Sequence, residues 1–134
     1  MDANRVGAQL PNRFGGILLG QLIAANMNST GDQQITIFSA PAKYIIRRIV
    51  ATNASVDLTT AAGGIYTAAG KSGTTIVAAG QAYTTLADDT KFLDLTLNAN
   101  TDYRTSPVLF LSLTTPQGAA ATADFFVYGD IVAL

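Results

Sequence analysis

The stretch GGIYTAAGKSGTT, residues 63–75, carries Gly70, Lys71 and Ser72 in the order that closes a nucleotide-binding phosphate loop. Read as that loop, it opens a helix and makes the chain an α/β protein. Read as a turn, it makes the chain all-β. The loop needs Gly-x-x-x-x-Gly-Lys-Ser/Thr, because that spacing wraps backbone N–H groups around phosphates and aims a helix N-terminus at them. Here the first glycine position is held by Ile65, and Gly64 lies one residue too far upstream. Gly73, Thr74, Thr75, Ile76 and Val77 follow, a glycine and a β-branched run that disfavour helix and suit a strand. The stretch is therefore expected to be a hairpin, with strands 65–69 and 74–78 around a turn at 70–73.

Composition points the same way. A single domain of 134 residues hides roughly two-thirds of its unfolded surface, enough for a core without staples. There is no cysteine and no histidine, which removes disulfides, thiolate chemistry, the commonest general base and the usual metal ligand. Charged residues make up 13% against about 25% in an average domain. All nine acids are Asp, and the net charge is −1, so no nucleic-acid partner is expected. With Glu absent and Thr, Val and Ile plentiful, the bias is towards sheet. So much uncharged surface suggests cover by other subunits.

Arg5 and Arg13 precede the apolar run ILLGQLIAAN, residues 17–26, an arrangement shared with signal peptides. Asp2 in a long leading segment, and Gly20 with Gln21 inside the run, argue for a first strand instead. The run is also far short of the ~20 apolar residues of a membrane-crossing helix, and no membrane partner is expected.

Residues 1–16 lack periodicity and read as an N-terminal arm outside a β-sandwich domain spanning 17–134. Within the arm, Leu10, Pro11, Arg13 and Phe14 offer an anchor for a neighbouring subunit. Candidate strands are 18–26, 33–38, 43–53, 65–69, 74–78, 92–98, 107–115 and 122–133. Residues 80–89 fit either a short strand or one helical turn. In 92–98, Leu93, Leu95 and Leu97 share one face, as do Leu109, Leu111 and Leu113 in a later strand. About eight strands with short turns and no long helix predict an all-β fold, a jelly-roll sandwich, with an immunoglobulin-like sandwich as the alternative.

Two strands break the alternation. In the last one, Phe125, Val127 and Ile131 form one face while Phe126 and Tyr128 stand on the other. Such a strand is either covered on both sides within the fold or packed on a neighbouring subunit, and Phe110, opposite its own leucine face, adds to the second reading. In KYIIRRIVATN, residues 43–53, consecutive Arg47 and Arg48 should point to opposite faces. The inward one either snorkels past the sandwich edge or meets a carboxylate across a subunit contact.

No catalytic constellation is visible, and no enzyme is expected. Asp88 and Asp89 are loop neighbours, which suits a solvated turn rather than a glycosidase pair or a calcium loop. Ser72 and Ser106 have no imidazole to activate them. No cofactor or metal is expected. Tyr44, Tyr66, Tyr83 and Tyr103 are the aromatics a sugar-binding module could use, which keeps a carbohydrate-binding sandwich of a phage tail or a secreted protein as the alternative function.

LTTPQGAAATADFFVYGD, residues 113–130, together with IYTAAGKSGTTIVAAGQAYTTL, residues 65–86, resembles the small jelly-roll cement or decoration proteins of tailed bacteriophage heads, the Bordetella phage type. The likeness covers most of residues 18–132 and lies in length, pattern and Ala/Thr-rich strands. It implies a non-enzymatic virion protein, made in the host cytoplasm and carried on the outer head surface. Its partners would be a major capsid protein of the HK97-like fold and itself, as a homodimer or, as the alternative, a homotrimer. No functional residue carries over from the resemblance.

Overall fold

A computed structural model describes residues 16–38, 43–98 and 100–133. Eight strands run in the order β1 (Ile17–Asn26), β2 (Asp32–Ile37), β3 (Lys43–Thr52), β4 (Ala62–Ala68), β5 (Ser72–Val77), β6 (Phe92–Asp94), β7 (Val108–Thr115) and β8 (Thr122–Ala133), with no helix among the described residues. All pairings are antiparallel, and the strands make one curled sheet in the order β5-β4-β7-β2-β1-β8-β3-β6. The curl brings its ends together. Val77 of β5 bridges Leu97, just beyond β6, and the Asn98 N–H donates to the Ile76 carbonyl at 2.8 Å.

The leucine alternation does what the sequence implied: Leu109, Leu111 and Leu113 are all fully buried. They meet Ile35, Ile65, Ile49, Phe125, Val127 and Tyr83 in one core inside the curl. Strand β6 is shorter than expected, ending at Asp94. Beyond it the Leu95 N–H still donates to Ile49, and the chain then crosses to the β5 side, carrying Leu97 to the seam. Residues 80–89 form neither a named strand nor a helix. Ala82 bridges Ala62, and a turn from Tyr83 to Leu86 drops both side chains into the core. Ile131, expected to share the face of Phe125 and Val127, is 39% exposed, because β8 outruns the core past Gly129.

The 63–75 stretch is a hairpin. Gly70 (φ 76°) and Lys71 (φ 56°) are both left-handed, the backbone conformation that lets the short 69–71 connection reverse the chain between Ala68 and Ser72. The Ser72 hydroxyl donates to the Ala69 carbonyl across the turn at 2.7 Å. The turn also docks on the β1–β2 connection, where the Gly70 N–H donates to Asp32 and Lys71 Nζ to the Thr30 carbonyl. Lys71→Ala should therefore shift stability by less than about 0.5 kcal/mol. Lys71→Gly, which removes the left-handed strain at the loss of one exposed contact, should raise the melting temperature slightly. Thermal unfolding of the two variants checks this, and calorimetry should show no Lys71-dependent ATP binding.

Side-chain amides stitch the places where strands splay. β1 and β2 share only the Gly20–Ile37 and Gln21–Thr36 register pairs. Further along, the Gln33 carboxamide takes the place of a ladder partner, accepting from the Asn26 N–H at 2.7 Å and donating to its carbonyl at 2.8 Å. Gln117 does the same for the β3–β4 loop, accepting from the Thr60 and Ala61 N–H groups and donating to the Asp57 carbonyl and the Thr59 hydroxyl.

Two core tyrosines tie stability to pH. Burial pushes the Tyr44 phenol up to about 12 from its ordinary 10.0, only partly offset by the nearby Arg104 charge, and burial pushes Tyr83 higher still. A raised folded-state value favours the neutral phenol, so this stabilisation is complete below pH 10 and is lost as pH climbs through each folded value. In an alkaline titration, the last phenolate absorbance should appear together with loss of the far-UV circular dichroism, above about pH 11. Full ionisation of all tyrosines in a still-folded protein would contradict it.

Candidate interaction surface

The outer face of β1, β8, β3 and β6 gathers four of the residues singled out from the sequence as subunit contacts: Arg47, Arg48, Phe126 and Tyr128. Register across β8 is interrupted on both sides at one level. On β3 it steps from Ile46–Gly129 to Arg48–Tyr128, leaving Arg47 as an extra residue. On β1 it steps from Leu18–Tyr128 to Gly20–Val127, leaving Leu19 as an extra residue. A bulge inserts one residue and re-aims its neighbours.

The bulge on β3 corrects the expectation for the arginine pair. Ile46 and Ile49 are buried, and both Arg47 and Arg48 are exposed. Neither faces the core, so neither needs a buried partner. Arg47 Nε donates to Asp130 Oδ2 at 2.8 Å, and Arg48 pairs with both carboxylate oxygens of Asp94, through Nε to Oδ1 and through Nη2 to Oδ2 at 3.3 Å. The hydrogen bond to Asp94 raises the Arg48 guanidinium above its ordinary value. With these side chains about half exposed, such pairs contribute at most about 1 kcal/mol each. Within each of these two pairs the charges cancel.

Phe126 and Tyr128 point outward from β8 and are half-buried. Their register neighbours are Gln21 and Val50 for Phe126, and Leu18 and Arg48 for Tyr128. Around them lie Leu18 at 36%, Ile23 at 52% and Phe92 at 59% exposure, three residues the sequence reading did not single out. Ile23 stands out because β1 bulges between Leu22 and Ala25, where Ala24 is left-handed (φ 55°) and its N–H donates to Asp124 at 2.7 Å. Phe92 could have been found from its place between Lys91 and Leu93, opposite in phase to the buried leucines.

Phe110 does not join this cluster. It is half-buried on β7, between Gln34 of β2 and Tyr66 of β4, three strands across the sheet from β8. Leu10, Arg13 and Phe14 of the proposed anchor lie outside the described residues.

A buried arginine does exist, but in a loop. Arg104, only 9% exposed, exchanges both backbone hydrogen bonds with Tyr44, and its Nε has no hydrogen-bond partner among the described residues. No local pattern in TDYRTSPV marks it, because tertiary packing alone buries it.

A cleft of about 460 Å³ lies at one rim, lined by Asn53, Ser55, Asp88, Asp89 and Thr122 among others. Asp88 accepts hydrogen bonds from the Thr90 hydroxyl and the Thr90 N–H, which hold its carboxyl below the usual range. Both donors belong to its own turn, so the pair behaves as a solvated loop. No group of three His, Cys, Asp or Glu side chains that could hold a metal occurs among the described residues. No described helix is long and apolar enough to cross a membrane. Of the four tyrosines offered for sugar binding, Tyr44, Tyr66 and Tyr83 are buried, and only Tyr103 is exposed, its ring 4.9 Å from Lys43 Nζ. A stacking platform of several tyrosines is therefore not formed.

No family model, curated protein or solved structure matches the chain.

Proposed function

We propose that the protein is a non-enzymatic virion component, a cement or decoration protein that binds the outer surface of a phage head and secures contacts between major capsid protein subunits of the HK97-like fold. It is made in the host cytoplasm and acts in the virion as a small homo-oligomer. The observation that carries this reading is the strand order. Cut between β1 and β2, the sheet gives the halves β1-β8-β3-β6 and β2-β7-β4-β5. The antiparallel partners within them, β1 with β8, β2 with β7, β3 with β6 and β4 with β5, make the wound pattern we read as a jelly roll, an architecture common in capsid proteins. The low charge and partly apolar outer face fit a life among neighbouring subunits.

A cement acts by multivalency. Each contact is modest, but engagement of adjacent capsid subunits makes the lattice hard to open. The reading is tested on purified phage particles stripped of this protein and then reconstituted with it. Gel densitometry should show stoichiometric occupancy of heads, and reconstituted heads should release DNA at a higher temperature than stripped ones. Occupancy of tails alone, or equal release temperatures at full occupancy, would remove the cement role.

A further inference from the structure

We propose that Arg104 is the charged head of a binding site for a monocarboxylate on an aliphatic stem, at the end of the sheet where β3 begins and β8 ends. The site is independent of the capsid reading. Three observations carry it.

First, the guanidinium is buried without a partner. Arg104 is only 9% exposed, its Nε is closed to solvent, and no described residue accepts a hydrogen bond from that nitrogen. The ion pairs among the described residues join Arg47 to Asp130 and Arg48 to Asp94. Asp102, two residues before Arg104, is exposed and enters neither. A buried charge with no counter-charge is destabilising, and an anion relieves it.

Second, the side chain is held on the core side. Arg104 and Tyr44 exchange both backbone hydrogen bonds, at 2.7 and 2.9 Å, so they stand directly opposite each other and share a face. Tyr44 is fully buried, which makes that the inner face. The loop is pinned there at two further points. The Tyr44 hydroxyl donates to the Ser106 carbonyl at 2.6 Å, and the Asn100 carboxamide donates to the Ile46 carbonyl at 2.6 Å. The Arg104 charge also acts on the Tyr44 phenol, opposing part of the rise that burial causes. A cation fixed in this way loses little freedom when it binds.

Third, the same face offers an apolar shelf beside a single charge. Tyr44 pairs on its other side with Ile131 of β8, so Ile131, Tyr44 and Arg104 form one row across the sheet, about 10 Å long by strand spacing. Ile131 is 39% exposed, which leaves hydrocarbon surface open to a ligand. Lys43 precedes Tyr44 and so points the opposite way, where its Nζ lies 4.9 Å from the Tyr103 ring. With one positive charge to offer, the row neutralises a carboxylate, whereas a dianionic phosphate would be left half compensated. The stem of the ligand lies along Tyr44 towards Ile131.

Arginine Nε–H signals in proton–nitrogen correlation spectra of the full chain read the site directly, and Arg104→Lys identifies the signal by deleting it. Sodium hexanoate and acetyl-glycyl-leucine, with its free carboxyl end, stand for the two sources of such a ligand, a fatty acid and a peptide C-terminus. Saturable movement of the Arg104 signal by either upholds the site, and the tighter of the two names the source. Acetate should bind at least about tenfold more weakly than hexanoate, and hexanol should have no effect. Ile131→Ser should weaken hexanoate and leave acetate unchanged. Arg104→Met should abolish binding and melt no lower than the native chain, because it replaces an unpaired buried charge with an apolar side chain of similar length. A signal that neither probe moves, or equal affinity for hexanoate and acetate, would overturn the site. So would an Arg104→Met variant that melts far below the native chain or fails to fold, since the guanidinium would then be neutralised within the folded chain itself.

Discussion

Gly129→Ala should cost at least about 3 kcal/mol of stability, a loss of roughly 10 °C or more in melting temperature for a domain of this size. Gly129 lies in β8 between Ile17 of β1 and Ile46 of β3, at the level where both neighbours bulge. A Cβ built on it would sit inside the contact radius of the Ile45 carbonyl oxygen and 2.9 Å from both the Ile45 carbonyl carbon and Leu19 Cδ1. Two of these three atoms are backbone, so relief requires moving β3 rather than turning a side chain. That movement would disturb the Ile46 and Tyr44 contacts that bury the lower core. Gly80→Ala is the matching control, since a Cβ there meets nothing within 4 Å, and it should change stability by less than about 0.5 kcal/mol. Thermal unfolding of both variants decides the matter, and equal melting temperatures would show that β8 does not need a glycine.

Phe125→Ala should cost about 3–5 kcal/mol. The side chain is fully buried, and its ring meets Tyr83 edge to face, with centroids 5.8 Å apart and planes at 78°. Truncation leaves a void between β8 and the 80–89 loop. That loop closes over the core by dropping Tyr83 and Leu86 into it. Tyr83→Phe should cost less, about 1–2 kcal/mol, because it removes only the hydroxyl that donates to the Gly63 carbonyl at 3.1 Å. Denaturant titration of Phe125→Ala, Tyr83→Ala and the double variant should give a coupling of about 0.5–1.5 kcal/mol for the aromatic pair. Additive losses would mean that the two rings are held independently, by the strand and by the loop.

Both positions are legible in the sequence to different degrees. Phe125 is on the expected inward face, together with Val127. Nothing around Gly129 in VYGDIV distinguishes a glycine required by a crowded neighbour from one that marks a turn. The burial of Tyr83 is not legible, because its segment has no clear period and a residue without a period has no assignable face.

The sequence by itself determined the all-β class, the hairpin at residues 63–75, the buried leucines of β7 and the placement of Phe126 and Tyr128 on the face opposite Phe125 and Val127. Each of these follows from the two-residue repeat of an extended chain or from the left-handed freedom of a turn, properties that reside in a few consecutive residues. The tertiary structure alone decided the strand order, the exposure of both Arg47 and Arg48, the burial of Arg104 and three of the four candidate tyrosines, and the separation of Phe110 from Phe126. The physical reason is register. Where β3 skips a pairing against β8 depends on hydrogen bonds between residues some eighty positions apart, and a single skipped residue reverses the face of everything beyond it.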